Sequence, residues 1–362
     1  MRTKRVYWAV LALAAAAWML PIASAGAAES PADVDIERYG GSDRYATSLL
    51  AAKAVAETRG GKLDEIVLVS GKNWTNAVLG APLAGQLGGA VLATPPSHLR
   101  DDAAAFLRTA GVKNVWIVRA DTDVEPVSID VDFALLDLGI EITRVSGPDH
   151  YEVAAHLAIS RSSSSAPGRM GSLGRTAIVA SGEVFADGLV ASAFAARGPH
   201  PILLNPRDGL HDHVRNALNS INGLEHVALM GGEAALSAQV ESSIKSLGLR
   251  VTRLAGATRF ETASKAAELV VGRYDDDCFS DGRVGLARAR VPFDSFSAGP
   301  LLARLCAPLL LTNPKSIPNA TAAYLDKTRQ SAAAGGSESI DLHVFGGDAA
   351  VSHTAIDKYL VR

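Results

Sequence analysis

The chain has 362 residues, with 35 Lys and Arg against 38 Asp and Glu, for a formal charge of −3. A near-balanced, slightly acidic chain lacks the basic footprint of a nucleic-acid binder, so an anionic ligand has to be met by a local cluster of Arg rather than by the field of the whole molecule. Only two Cys are present, Cys278 and Cys306, which excludes a disulfide scaffold; the length is enough for two or three domains with their own cores.

The N-terminus carries Arg2, Lys4 and Arg5, an apolar run over residues 6–20, Pro21, and a small-residue cleavage site at Ala23-Ser24-Ala25 or Ala25-Gly26-Ala27. This is the grammar of an export leader over residues 1–27; the run falls short of the roughly 20 apolar residues a spanning helix needs. No Cys follows it, which argues against a lipoprotein. Loss of residues 1–25 removes three positive charges and leaves 32 basic against 38 acidic residues, or −6. In an exported chain Cys278 and Cys306 either pair or remain separate thiols, Cys306 then serving as a small core residue.

Residues 28–37 read as a short polar lead. After them helix and strand alternate. Residues 46–57 predict a helix stopped by Arg59-Gly60-Gly61, 66–69 a buried strand, 76–87 a buried helix and 90–93 a strand ended by Thr94-Pro95-Pro96. A helix over 101–110, a strand over 115–118, a helix over 127–138 and a strand over 140–145 follow. Residues 176–180, 201–205, 226–230 and 249–254 predict the strands of a second unit, with Ser162 to Gly168 as a loop insertion. Residues 283–289, 308–312 and 342–345 repeat the order again, with loops at 275–282 and 331–339. Short apolar strands alternating with helices indicate parallel, helix-covered sheets. The acidic loop at 275–282 lacks EF-hand ligand spacing and reads as solvated.

One stretch organises this pattern. Arg38-Tyr39-Gly40-Gly41-Ser42-Asp43-Arg44-Tyr45 returns as Arg144-Val145-Ser146-Gly147-Pro148-Asp149-His150-Tyr151 and as Arg253-Leu254-Ala255-Gly256-Ala257-Thr258-Arg259-Phe260, at spacings of 106 and 109 residues. A near-constant period means one unit used three times, here over 38–143, 144–252 and 253–362. The Arg residues offer forked donors for phosphate or carboxylate, and a helix follows whose free N–H groups face the same turn. Arg38, Asp43, Arg44, Tyr45, Asp149, His150, Tyr151, Arg259 and Phe260 are therefore ligand candidates; alternatively Asp43 caps the helix and Arg44 pairs with a carboxylate of its own unit.

Three further positions recur. Asn76, Asp187 and Asp294 open the buried helix of each unit, each just after Trp74, Phe185 or Phe293; they are either N-caps or polar groups at the ligand-binding edge of an open α/β sheet. Thr94-Pro95, Asn205-Pro206 and Asn313-Pro314 end a strand. Gly231-Gly232-Glu233 and Gly346-Gly347-Asp348 make a turn, replaced in the first unit by Asp121-Thr122-Asp123, which reads as a turn rather than a Mg²⁺ site.

The chain contains no nucleophile elbow, P-loop, His-Glu-x-x-His or zinc-spaced Cys pair, and no catalytic residue, metal ligand or cofactor is assigned. A wall hydrolase using Asp187 or Glu233 with a second acid, or an interaction module for another exported protein, are the alternatives to a binding protein.

The 38–45 block, Phe185-Ala186-Asp187, the Pro201-Ile202-Leu203-Leu204 strand and Gly231-Gly232-Glu233 resemble cell-wall-binding repeat 2, a family of exported Gram-positive proteins in which three copies usually occur in tandem. The resemblance covers Arg38 to the C-terminus. It implies three Rossmann- or Toprim-like α/β domains packed as a pseudo-threefold trimer, secretion, and non-covalent attachment to an anionic secondary wall polymer or polysaccharide, with no membrane or nucleic-acid partner. The family's repeats usually accompany an effector domain. Asn76 stands where the family favours Asp, His150 replaces Arg and Thr258 replaces Asp, so the three units are not expected to bind equally.

Overall fold

The computed structural model describes residues 30–164, 167–271, 278–279 and 282–361; the expected leader and most of the acidic loop lie outside them. The first strand is β1 (Asp33–Tyr39). The first unit continues with α1 (Arg44–Glu57), β2 (Glu65–Ser70), α2 (Trp74–Leu87), β3 (Ala90–Thr94), α3 (Asp101–Ala110), β4 (Asn114–Ala120), α4 (Ile129–Leu136) and β5 (Glu141–Gly147). The second comprises α5 (His150–Ser164), β6 (Thr176–Ser181), α6 (Phe185–Arg197), β7 (Ile202–Asn205), α7 (Asp212–Ser220), β8 (His226–Met230), α8 (Ala238–Ser246) and β9 (Arg250–Leu254). The third comprises α9 (Arg259–Val270), β10 (Arg283–Arg288), a single turn at Phe293–Ser295, α10 (Ala298–Leu305), β11 (Leu309–Thr312), α11 (Asn319–Ala334), β12 (Ser339–Phe345) and α12 (His353–Leu360).

The strands form three four-stranded sheets, β3-β2-β4-β5, β7-β6-β8-β9 and β11-β10-β12-β1, in which every pairing is parallel. The central strands are covered on both faces, so their side chains are apolar without alternation: Ile66, Val67, Leu68 and Val69 are all fully buried.

The sheets do not follow the sequence repeats at their edges. The fourth strand of each sheet is the one that leads into the next repeat block, and for the third sheet that strand comes from the N-terminus. Residues 28–37, expected as a polar lead, instead hold most of β1, which pairs with β12 from Asp33 opposite Ser339 to Tyr39 opposite Phe345. An edge strand with one wet face needs few apolar residues, and Asp33, Asp35 and Glu37 alternate with Val34 and Ile36. Tyr39 alone is deeply buried, its ring centre 5.2 Å from that of Phe345.

The units close around a pseudo-threefold axis where α2, α6 and α10 meet. The approach requires small residues. A Cβ on Gly85 would collide with the carbonyl of Ala196, and one on Gly299 with Ser192 and Ala81. This is why 76–87 and its equivalents are rich in Ala and Gly. The opening helix of each unit leans on its neighbour. Ser48 of α1 hydrogen-bonds Ser297 of the third unit, and Arg161 of α5 donates to Gln86 of the first at 2.7 Å. Cys278 and Cys306 form a disulfide across 28 residues, joining the segment after α9 to the end of α10.

Candidate functional site

The repeated block divides into a part occupied by the fold and a part turned outward. The leading Arg is occupied. Arg38 donates to the carbonyls of Gly346 and Val351 at 2.9 and 2.8 Å. Arg253 donates to those of Gly231, Leu236 and Ser237 and to Glu241. Arg144, beside a turn without the Gly pair, makes a forked bond to Asp132 at 3.0 and 2.7 Å. Asp43 caps α1 through the Ala46 N–H and pairs with Arg100 at 2.7 Å. Asp149 accepts from the Tyr151 and Glu152 N–H groups, and Thr258 caps α9 at Glu261.

The residue after the cap points elsewhere. Arg44 donates to the Gly71 carbonyl at 2.8 Å and Arg259 to the Ala289 carbonyl at 2.6 Å, just after β2 and β10. Neither has a carboxylate within ion-pair distance among the described residues, so the expected alternative of a pairing within the unit does not occur. Each instead crosses to the neighbouring unit. The Arg44 guanidinium lies 3.4 Å from the centre of the Phe293 ring, and that of Arg259 lies 5.7 Å from the centre of Phe185, both within cation–π range. Tyr45 lies against Gly71 and Tyr151 against Gly182; Phe260 is partly buried against the core.

Phe185 and Phe293 stand just before Asp187 and Asp294, so the two sets of candidates meet at the seams between units. The acids are not N-caps: Asn76 and Asp187 are the third residues of α2 and α6, after N-caps Asn73 and Val184, and Asp294 sits within the single turn that precedes α10. Asp187 is 7% exposed; burial pushes its carboxyl up to about 6, against the opposing pull of Arg259. Burial also raises Asp294, against Arg288 and Arg44. The Gly pair explains itself here. Gly231 and Gly346 have φ of 107° and 104°, and a Cβ on either would crowd Asp187 or Asp294.

Three seams result, and they differ. Between the third and first units lie Arg44, Arg288, Phe293 and Asp294. Between the second and third lie Arg259, Phe185 and Asp187. Between the first and second lie His150, Asn76 and Asp123. At this seam Asn76 donates to Asp123 at 2.6 Å, and burial lowers the pKa of His150 despite nearby Asp149, Asp123 and Glu183. His150 therefore gains charge only below its ordinary range. The third–first seam has two Arg against one carboxyl, the second–third seam sets Arg259 against Asp187, and the first–second seam is acidic.

Residues 38–120, 144–241 and 253–356 match the family described as Cell wall binding domain 2 (CWB2). The chain belongs to this family. It is 26% identical over 286 residues to N-acetylmuramoyl-L-alanine amidase LytC of Bacillus subtilis (strain 168), covering 79% of this chain and 52% of that protein. It is 27% identical over 246 residues to the amidase enhancer of the same organism, covering 68% and 31%. In structure it is similar to Cwp6 and Cwp8 from Clostridium difficile, with TM-scores of 0.71 and 0.70, identities of 21% and 24%, and coverage of 90% of this chain in both cases and 49% and 51% of theirs. The chain thus spans about half or less of the length of these relatives.

Two features of the CWB2 seams escape the sequence. Arg288 ends β10 where the other units have Ser70 and Ser181; the mismatch between repeats was the available signal. The crossing of Arg44 and Arg259 onto the neighbour's ring follows from cyclic packing and has no local signature. The leading Arg, by contrast, serves the fold of each CWB2 unit. Arg253→Ala strands three carbonyls, and the expected result is a loss of about 2 kcal/mol of stability, measurable by urea denaturation, with wall binding of the folded fraction unchanged.

Proposed function

We propose that the chain attaches non-covalently to an anionic secondary polymer of the cell wall, without chemistry of its own, and that it does so from outside the cell. The observation that carries this is the pair of guanidiniums, Arg44 and Arg259, at equivalent seams, each over a neighbour's aromatic ring and without a carboxylate partner among the described residues. A forked planar cation beside an apolar ring suits a phosphate or carboxylate on a sugar chain: the guanidinium meets the anion and the ring offers an apolar surface to the sugar. Two such seams on one rigid body can engage one repeating polymer together, which multiplies weak affinities.

The test is sedimentation of the protein with purified cell walls, and with walls stripped of secondary polymer. Binding to intact walls that falls steeply between 50 and 500 mM NaCl is expected, as exposed contacts to anions are screened. Equal binding to both preparations would remove the polymer as ligand, and binding to neither would remove wall attachment. The raised pKa values of Asp187 and, less strongly, Asp294 favour a hydrolase. A general acid needs a second group across the site, and the charged group that acts on Asp187 at this seam is the cation Arg259, outside ion-pair distance, not a second acid. No release of reducing ends or fall in wall turbidity is therefore expected; turnover lost in Asp187→Asn would reverse the assignment.

A further inference from the structure

Helices α4, α8 and α12 are one helix in three copies. Each follows an N-cap Ser, at 128, 237 and 352, whose N–H donates to a turn carbonyl of Pro96, Arg207 or Pro314 at 2.8, 2.9 and 2.9 Å. Each buries an apolar inner face: Val131 and Leu135, Val240 and Ile244, or Ile356 and Tyr359. The outer faces differ. Counted from the Ser, the first, fifth and eighth positions are Ala238, Ser242 and Lys245 in α8, and His353, Asp357 and Leu360 in α12. In α4 they are Ile129, Phe133 and Leu136, exposed by 59, 58 and 55%, with Val124 at 71% in the preceding loop.

This spacing puts the three side chains on one side of the helix. Single exposed apolar residues need no explanation, but a contiguous group does. The fold does not supply one, since the other two copies hold the same place with a single large apolar residue between them, Leu360, which packs partly against the core. The segment that carries α4 is one-signed: between Arg119 and Arg144 there is no Lys or Arg and there are seven acids. Asp121, Glu125 and Asp132 pair with Arg119, Lys72 and Arg144, and Asp123 is held by Asn76 and the Ala120 N–H. Asp130, Asp137 and Glu141 are exposed and have no basic partner among the described residues.

We propose that the outer face of α4 is a docking surface for a partner protein that presents an apolar stripe flanked by Lys or Arg. Charge decides the occupant. A second copy meeting face to face would set acids against acids, and an anionic lipid surface or wall polymer would be repelled. A cationic amphipathic segment satisfies both the apolar stripe and its rim.

The test uses the whole chain and two 18-residue amphipathic peptides, one of Leu and Lys and one of Leu and Glu in the same pattern. The Leu/Lys peptide is expected to bind at least tenfold more tightly. The triple variant Ile129→Ala, Phe133→Ser, Leu136→Lys, which gives α4 the outer residues of α8, is expected to lose at least tenfold of that affinity while keeping its melting temperature and wall binding. Equal affinity for both peptides, or a triple variant that binds like the parent, overturns the proposal. In the producing cell, a photo-crosslinking residue at 133 is expected to label a peptide of net positive charge from another protein, with no such product from 242 or 357. The same products from all three positions, a homodimer, or no product from 133 overturns it.

Discussion

Arg44→Ala combined with Arg259→Ala is expected to weaken wall binding about 100-fold, whereas each single change costs only several-fold. The difference comes from linkage. One seam left intact still holds the polymer and keeps it close to the other, so a single loss is softened, and only the double variant removes both contacts. His150→Ala is expected to change binding less than twofold, because that seam carries Asp123 and Glu183 and a His that burial keeps neutral. Sedimentation isotherms on purified walls measure all four proteins. The variants should remain folded, since each Arg gives up only one bond to a carbonyl and one contact with a neighbouring ring. If the melting temperature falls in step with binding, these Arg hold the seams together instead, and the ligand contact has to be sought at Asp187 and Asp294.

Asp187→Asn is expected to make the protein more stable at neutral pH. Burial holds the Asp187 carboxyl near 6 in the folded chain, against an ordinary value of 3.8. The folded state therefore keeps its proton after the unfolded chain has lost it, and stability falls as pH rises from about 4 to above 6, then levels. At about 1.4 kcal/mol per tenfold change in proton affinity, the ionised form costs on the order of 3 kcal/mol at pH 7. The amide at the equivalent place in the first unit, Asn76, shows that the fold accepts this substitution; there it donates to Asp123. Urea melts from pH 4 to 8 should show a gain at pH 7 and a flatter slope in the variant. No gain with an unchanged slope would mean that Asp187 is not the group that titrates. The parent should also bind the wall more tightly below pH 6, when the acid beside Arg259 is neutral.

Much of the architecture was legible because burial on both faces of a parallel strand leaves an unbroken apolar run, as at Ile66 to Val69, and because three copies repeat their turns. The closing strand was missed because an edge strand half in water reads as polar: Asp33, Asp35 and Glu37 look like a lead. The site was half legible. Arg44, Arg259, Asp187 and Asp294 recur at regular places in sequence, but that each Arg meets the ring and acid of a neighbouring unit depends on the order of packing around the axis. The acids looked like helix caps because they stand near helix starts; lying two residues inside, or within an isolated turn, they cannot cap and are left facing the seam.

The pairing of β1 with β12 fixes when the molecule can be finished. Asp33 and Ser339 are neighbours in the sheet but stand 306 residues apart in the chain, so the first strand made has to wait, unpaired, for nearly the last. During synthesis two units can complete their sheets while the third cannot, and the ring remains open until the end of the chain is released. A circular permutant that carries residues 30–40 after a short linker beyond Val361 would turn this pairing into a local one. It should refold faster to the same ring, because the closed cycle has no preferred beginning.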